Sequence, residues 1–247
     1  MNKLEGKNVV ITGAGGNVGY NSAKVLAEQG ARIIGIVRRN LESTQQMFDL
    51  LPNGHLNHKV ILASVHDSSS LKNAVANLDI LKCDILINCA GRSYAKVKYS
   101  ELSDEIVNDI LDTNVKGIFY TVREFLSLIY KSEEPIIINI SSAAAKNPGR
   151  ANLIYAASKA AVDNMTRCMA LNMAPKVRVI GISPGWLDQA MSGAPKRTAE
   201  ETAIMAQNIP LKRVATVNDV TEMILNVSTG MKTVTGAIIA VDCGVTI

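Results

Sequence analysis

The chain has 247 residues, of which 47% are hydrophobic, 19% charged and only 4% aromatic, and its formal net charge is +4. That balance excludes an intrinsically disordered chain, and so small a charge, with no run of five or six like charges, argues against a nucleic-acid partner. The length fits one large domain or two small ones and buries enough surface to fold without staples. No signal-peptide core and no apolar run of 18 residues is present, so a soluble, cytoplasmic protein with no membrane partner is expected.

The first apolar, β-branched run covers residues 8–12 and leads directly into Thr12-Gly13-Ala14-Gly15-Gly16-Asn17-Val18-Gly19. Glycines there permit a tight turn and close approach of the backbone. A helix that follows, with Leu and Ala at helical spacing over 22–29, would aim its free N–H groups and positive dipole end at a phosphate. The context of strand before and helix after is what gives the glycines their meaning.

The second run, 32–37, ends in Arg38-Arg39-Asn40, with no carboxylate before Glu42. An acidic residue at this place would accept hydrogen bonds from the ribose 2′-OH of NAD, whereas a basic one accommodates a 2′-phosphate. The double arginine therefore favours NADP(H), with NAD(H) possible. The third run is 59–63. His55, His58 and His66 flank it, and without a carboxylate or thiol at ligand spacing they are read as solvated, so no metal is expected. Helical spacing follows over 69–81, then a fourth run over 84–88. Cys83, Cys89, Cys168 and Cys243 form no C-x-x-C pair and are read as small buried hydrophobes.

A helical stretch over 104–130 leads to the fifth run, 135–140, and to Ser141-Ser142. Helical spacing over 156–173 precedes the sixth run, 177–182, and Ser183-Pro184-Gly185. Residues 186–213 then break the rhythm, with no strand and two prolines. Because ligands bind outside the carboxyl ends of such strands, this stretch is read as a segment covering the substrate. Trp186, Leu187, Met191, Ile204 and Met205 suggest an apolar, adaptable pocket, and Lys196 and Arg197 could meet an anionic substrate. A helix over 217–228 and a last run over 237–241 complete the chain. Apolar strands alternating with helices imply one α/β domain over 1–247, a doubly wound parallel sheet of seven strands with helices on both faces.

Tyr-x-x-x-Lys places two side chains on one helical face. The spacing occurs three times, at Tyr20/Lys24, Tyr94/Lys98 and Tyr155/Lys159, so context must choose. Only the third pair follows a strand that ends in serine hydroxyls and precedes a Pro-Gly turn. Reducing a ketone by hydride leaves an alkoxide that needs a proton. A phenol with a pKa near ~10 must be lowered by about 3 units, roughly 4 kcal/mol, to serve at neutral pH. A cation about 4 Å away at an effective dielectric near 20 supplies ~4 kcal/mol. Tyr155 is thus read as general acid/base, Lys159 as the group that lowers its pKa, and Ser142 as the holder of the substrate oxygen.

Together these residues resemble the short-chain dehydrogenase/reductase family over nearly the whole chain. The glycine turn is similar to its cofactor loop. Asn88-Cys89-Ala90-Gly91 resembles its segment after strand four, and Asn114-Val115-Lys116-Gly117 its active-site Asn segment. Ser142 stands 13 residues before Tyr155, Pro184-Gly185 resembles the turn beside the nicotinamide, and Thr235-Gly236 with Val241-Asp242-Cys243-Gly244 resembles the final strand region. The resemblance implies a tetrad of Asn114, Ser142, Tyr155 and Lys159. In it Lys159 contacts the nicotinamide ribose and Asn114 supports a water-mediated proton path. It implies cofactor contacts from Gly13, Gly15, Gly16, Asn17, Val18, Gly19, Arg38 and Arg39, from Ser64, Val65, Asn88, Ala90 and Gly91, and from Tyr155, Lys159, Pro184, Gly185, Leu187 and Gln189. It also implies a homotetramer or homodimer.

Three departures stand out. The glycine spacing is Thr-Gly-x-x-Gly-x-x-Gly, as in longer relatives that include sugar-nucleotide epimerases. Ser64 replaces an Asp near the adenine, and Gln189 replaces a Thr near the nicotinamide amide. The expected activity is NADP-dependent hydride transfer between a ketone and a secondary alcohol, with a 3-oxoacyl-thioester reductase as a subclass. The glycine spacing keeps open an isomerase or epimerase that retains its cofactor. The altered nucleotide contacts keep open a catalytically silent cofactor-binding regulator.

Overall fold

The computed structural model describes residues 2–96, 98–148, 152–189 and 198–247. Its strands are β1 (Asn8–Thr12), β2 (Arg32–Val37), β3 (Lys59–Leu62), β4 (Ile85–Asn88), β5 (Ile136–Ile140), β6 (Arg178–Pro184) and β7 (Ile238–Val241). They form one parallel sheet in the order β3-β2-β1-β4-β5-β6-β7. The helices are α1 (Asn17–Glu28), α2 (Leu41–Asp49), α3 (Ser68–Ala76), α4 (Asp104–Leu111), α5 (Gly117–Tyr130), α6 (Leu153–Met173), α7 (Ala199–Gln207) and α8 (Val217–Thr229). This is the single doubly wound domain that the alternation of runs implies.

The inner strands are apolar throughout because both faces are covered. Val9 and Ile11 of β1 pack on one side with Leu26 of α1, Phe48 of α2 and Ile224 of α8. Val10 packs on the other with Leu71 of α3, Phe125 of α5 and Val162 of α6. Strand order reverses between β1 and β4, so their connections leave in opposite directions and a crevice opens at the carboxyl ends. At the opposite end of the sheet, buried Asp84 accepts hydrogen bonds from Asn8 N (3.0 Å) and Ser132 Oγ (2.7 Å), and pairs with Lys82 (3.2 Å) and Lys7 (3.4 Å).

Several expectations need correction. His58 is buried, not solvated: its Nδ1 accepts from Ile33 N (3.1 Å) and its Nε2 faces Pro52 O (2.8 Å), so the neutral ring donates through Nε2. His66 is bonded at Nε2 to Thr113 Oγ1 (2.7 Å). Cys83 is buried, but Cys168 is exposed on the outer face of α6, and Cys89 and Cys243 are half-buried. The expected helical stretch over 104–130 runs through without a gap, with a π turn at Asp112–Lys116 inside it. Within 186–213, Leu187 makes a lone parallel bridge to Ala215, and α7 forms behind a reciprocal cap between Thr198 and Glu201. No residue of α7 is buried, so Ile204 and Met205 do not build the expected pocket. Met191, Lys196 and Arg197 lie outside the described residues.

Candidate active site

A cleft of about 950 Å³ lies over the carboxyl ends of β1, β2, β4, β5 and β6. Its floor is tied together by Thr12, whose Oγ1 accepts from Cys89 N and Ala90 N, both at 3.1 Å. Gly13 adopts φ +68°, and a Cβ there would fall 2.8 Å from Ala90 Cα, so only glycine lets β1 and β4 meet at this turn. A Cβ on Gly19 would fall 2.3 Å from Gly13 O, so the loop can curl back onto α1 only without a side chain there. Helices α3, α4, α6, α7 and α8 are capped by the side chains of Asp67, Ser103, Asn152, Thr198 and Thr216. Helix α1 opens on Gly16 with no capping side chain and no acidic residue in its first turn. Its dipole end therefore carries an uncompensated positive potential at the cleft.

The described residues lining the cleft include Arg38, Arg39, Arg92, Lys96 and Lys159, and no Asp or Glu. Just behind the wall, Asp109 ties the outer edge together. Its carboxylate accepts from Arg92 Nε (2.7 Å) and Tyr94 OH (2.8 Å) and lies 3.7 Å from Arg38 Nη1. Burial pushes the Asp109 carboxyl up, but these donors and charges hold it below the usual carboxylate range. His66 lines the cleft beside them, and burial, with the Arg38 charge, holds its pKa below the ordinary imidazole value.

Ser142, Tyr155 and Lys159 meet on the far wall. Asn152 caps α6, its Oδ1 accepting from Ile154 N (3.0 Å) and Tyr155 N (3.4 Å), and its Nδ2 donates to Ala95 O (3.2 Å). The Tyr155 phenol is hydrogen-bonded to the Ser142 hydroxyl. Lys159 Nζ donates to Ile140 O at 2.8 Å and sits 5.7 Å from the centroid of the Tyr155 ring. The expected depression of the Tyr155 pKa is corrected here. Burial pushes the phenol above its ordinary value, and the bond from Ser142 only partly opposes this. Burial also pushes Lys159 down to about 8, against the opposing influence of Cys89 and Asp163. The lysine therefore loses its proton at a lower pH than the phenol does, so at neutral pH the pair is an ammonium beside a protonated phenol.

The structure brings to the cleft Gly13, Gly15, Gly16, Asn17, Val18, Gly19, Arg38, Arg39, Val65, Ala90 and Gly91, together with Ser142, Tyr155, Lys159, Pro184, Gly185, Leu187 and Gln189. Ser64, Asn88 and Asn114 do not line it. Ser64 N donates to Ser70 Oγ, and Asn88 Nδ2 donates to Asn139 Oδ1. Asn114, in the π turn, is fully buried: its Oδ1 accepts from Arg92 N (2.8 Å), and its Nδ2 donates to Arg92 O (3.0 Å) and Ser158 Oγ (2.9 Å). It holds the backbone of the cleft wall. Sequence reasoning missed Arg92, although Arg92 directly follows Gly91. It also missed the Asn152 cap, although an Asn three residues ahead of Tyr155 is a helix-start signal.

A sequence-family model described as short chain dehydrogenase matches residues 7–200. The chain is 32% identical over 255 residues to the 3-oxoacyl-(acyl-carrier-protein) reductase FabG of Thermotoga maritima, spanning 99% of this chain and all of that one. Among solved structures it resembles a glucose/ribitol dehydrogenase of Brucella melitensis, with a TM-score of 0.89 and 25% identity over 99% and 98% of the two chains. It equally resembles the 3-ketoacyl-(acyl-carrier-protein) reductase of Brucella melitensis complexed with NADH, with a TM-score of 0.88 and 25% identity over 99% and 100%.

Proposed function

Given that the chain belongs to the short-chain dehydrogenase/reductase family of oxidoreductases, we propose that it transfers hydride between NADP(H) and a ketone or secondary alcohol, with Tyr155 as the proton donor and acceptor. The observation that carries this reading is the meeting of Ser142, Tyr155 and Lys159 on one wall of a cleft whose other end is a glycine loop and an uncapped helix. The donor set suits a phosphate-bearing dinucleotide: backbone N–H groups at a positive dipole end, two arginines, and no carboxylate to repel the phosphates. The cleft volume is at the upper end of the range for small-molecule sites.

When bound, the nicotinamide supplies or takes the hydride. The protein handles the proton. Ser142 donates to the substrate oxygen and holds it where charge develops. Tyr155 OH, within reach of the same oxygen, gives up its proton as the alkoxide forms. Its raised pKa keeps it protonated at neutral pH, so the resting residue is an acid suited to reducing a carbonyl. Lys159, protonated below about pH 8, stabilises the phenolate once formed. Asn114 acts from behind by fixing the Arg92 backbone. Arg38 and Arg39 favour a 2′-phosphate, and the relative complexed with NADH keeps the second cofactor in view. The segment 186–213 is proposed to cover the substrate through Trp186 and Leu187, both in the cleft lining. A 3-oxoacyl thioester is one substrate class in keeping with the relative from Thermotoga maritima. The same reading carries a cytoplasmic homodimer or homotetramer.

The test is consumption of NADPH against a panel of ketones by the wild-type protein and Tyr155→Phe. The variant should bind NADPH as well as wild type and lose turnover by about 10²–10⁴-fold. Retained turnover rejects the assignment. Oxidation of the matching alcohol should be slow at neutral pH and rise only above about pH 10, the ordinary range of a phenol, because Tyr155 must first lose its proton.

A further inference from the structure

Lys159 is a buried cation, and its one hydrogen bond among those described goes to a neutral carbonyl, Ile140 O. A buried ammonium needs an opposite charge or it surrenders its proton. The titratable groups that reach it are Cys89 at the end of β4, and Tyr155 and Asp163 on its own helix, with Ser141 and Ser142 facing from the end of β5. Cys89 is pushed up to about 11 by burial and Tyr155 is raised above its ordinary value, so both are neutral at neutral pH. Asp163 is left. It is buried, and it stands four residues beyond Lys159, on the same face of α6 one turn away.

Asp163 has a second connection to the site. The Ser141 hydroxyl donates a short hydrogen bond to its Oδ1, and the same hydroxyl lies 3.3 Å from Lys159 O. Ser141 sits between Ile140, whose carbonyl receives the ammonium, and Ser142, which meets Tyr155. It is pinned from the other side by its own N–H, which donates to Ile182 O at 2.7 Å. Asp163, Ser141 and Lys159 thus close a ring through α6 and the end of β5, directly behind the catalytic wall.

We infer that Asp163 is a positioning residue for the reaction: it is the buried counter-ion of Lys159 and, through Ser141, the tether of the strand end that presents Ser142. The inference rests on the reading of Tyr155 and Lys159 given above, since a counter-ion for Lys159 matters to turnover only if Lys159 does. In the intact chain the carboxylate keeps the ammonium charged across the neutral range. The hydrogen bond to Ser141 keeps the Ile140 carbonyl and Ser142 hydroxyl in register with α6.

The test is direct titration of Lys159 in the full-length protein carrying carbon-13-labelled lysine, its signal assigned by loss in Lys159→Met. Asp163→Asn should move the Lys159 titration to lower pH by about one unit or more, as expected for removing a charge one helical turn away at low effective dielectric. Asp163→Glu should restore most of the shift. Ser141→Ala should leave the titration within a few tenths of a unit and lower turnover instead. An unchanged Lys159 titration in a folded Asp163→Asn protein overturns the inference. If Asp163→Asn does not fold, the double variant Asp163→Asn/Lys159→Met should fold again, because the uncompensated ammonium is gone; failure of that rescue also overturns it. Turnover retained by Tyr155→Phe would instead reject the parent reading while leaving the titration result to stand.

Discussion

Buried charge is handled differently at the two ends of the sheet. At the amino end, Asp84 is surrounded by Asn8 N, Ser132 Oγ, Lys7 and Lys82. Burial pushes its carboxyl up, yet these partners hold it below the usual range, so it stays charged under all ordinary conditions. At the carboxyl end, Lys159 has one carbonyl and a carboxylate a turn away, and its pKa falls to about 8. A charge saturated with partners stabilises a fold and does nothing else. A charge left short of partners, beside a phenol that is also short, is poised to respond when something enters the cleft.

That contrast can be broken by exchanging the roles. Lys159→Met should lower turnover by about 10²–10³-fold while changing thermal stability little, since removing a buried ammonium short of partners offsets leaving Asp163 without its cation; steady-state kinetics and a melting curve read both. Asp84→Asn should do the reverse. It should cost roughly 3 kcal/mol of unfolding free energy, measured in urea, because Lys7 and Lys82 lose their partner, with kcat unchanged. If Asp84→Asn impaired kcat as strongly as Lys159→Met, the division between the two ends would fail.

The cofactor end sharpens the comparison. Arg38→Ala should weaken binding of 2′,5′-ADP by about tenfold, the worth of one charge-assisted hydrogen bond, while binding of AMP changes little; calorimetry distinguishes the two. Equal losses for both nucleotides would remove the case for a 2′-phosphate at Arg38.

The smallest effect lies at the edge of the sheet. His58 accepts from Ile33 N, so burial and this bond favour the neutral ring, and its pKa lies below 6.5 in the folded protein. The unfolded chain therefore binds the proton more readily. His58 contributes stability above pH 6.5, and this is lost as pH falls through that value towards the folded pKa. The urea midpoint should drop between pH 7 and pH 5.5, and by less in His58→Asn.

The seven strands were legible because each is a short β-branched run, and β1 and β2 fall on the residues that pattern marks. The helix α2 was not: Leu41–Asp49 is short and polar, and it starts after Asn40 in a left-handed conformation with no side-chain cap. Nor was α7, which buries nothing and so carries no periodic stripe. The glycine turn, Arg38, Ser142, Tyr155 and Lys159 could be picked out by type and spacing. Asp109 and Asp163 could not, because their meaning lies in partners about twenty residues away.

From residue order alone came the parallel sheet, the glycine turn and the candidate proton-handling pair, since all three depend on local spacing and intrinsic chemistry. The direction in which that pair titrates was decided only by tertiary structure. The Tyr155 and Lys159 pKa values depend on how completely packing removes water and which charges it leaves nearby, and no linear spacing encodes either.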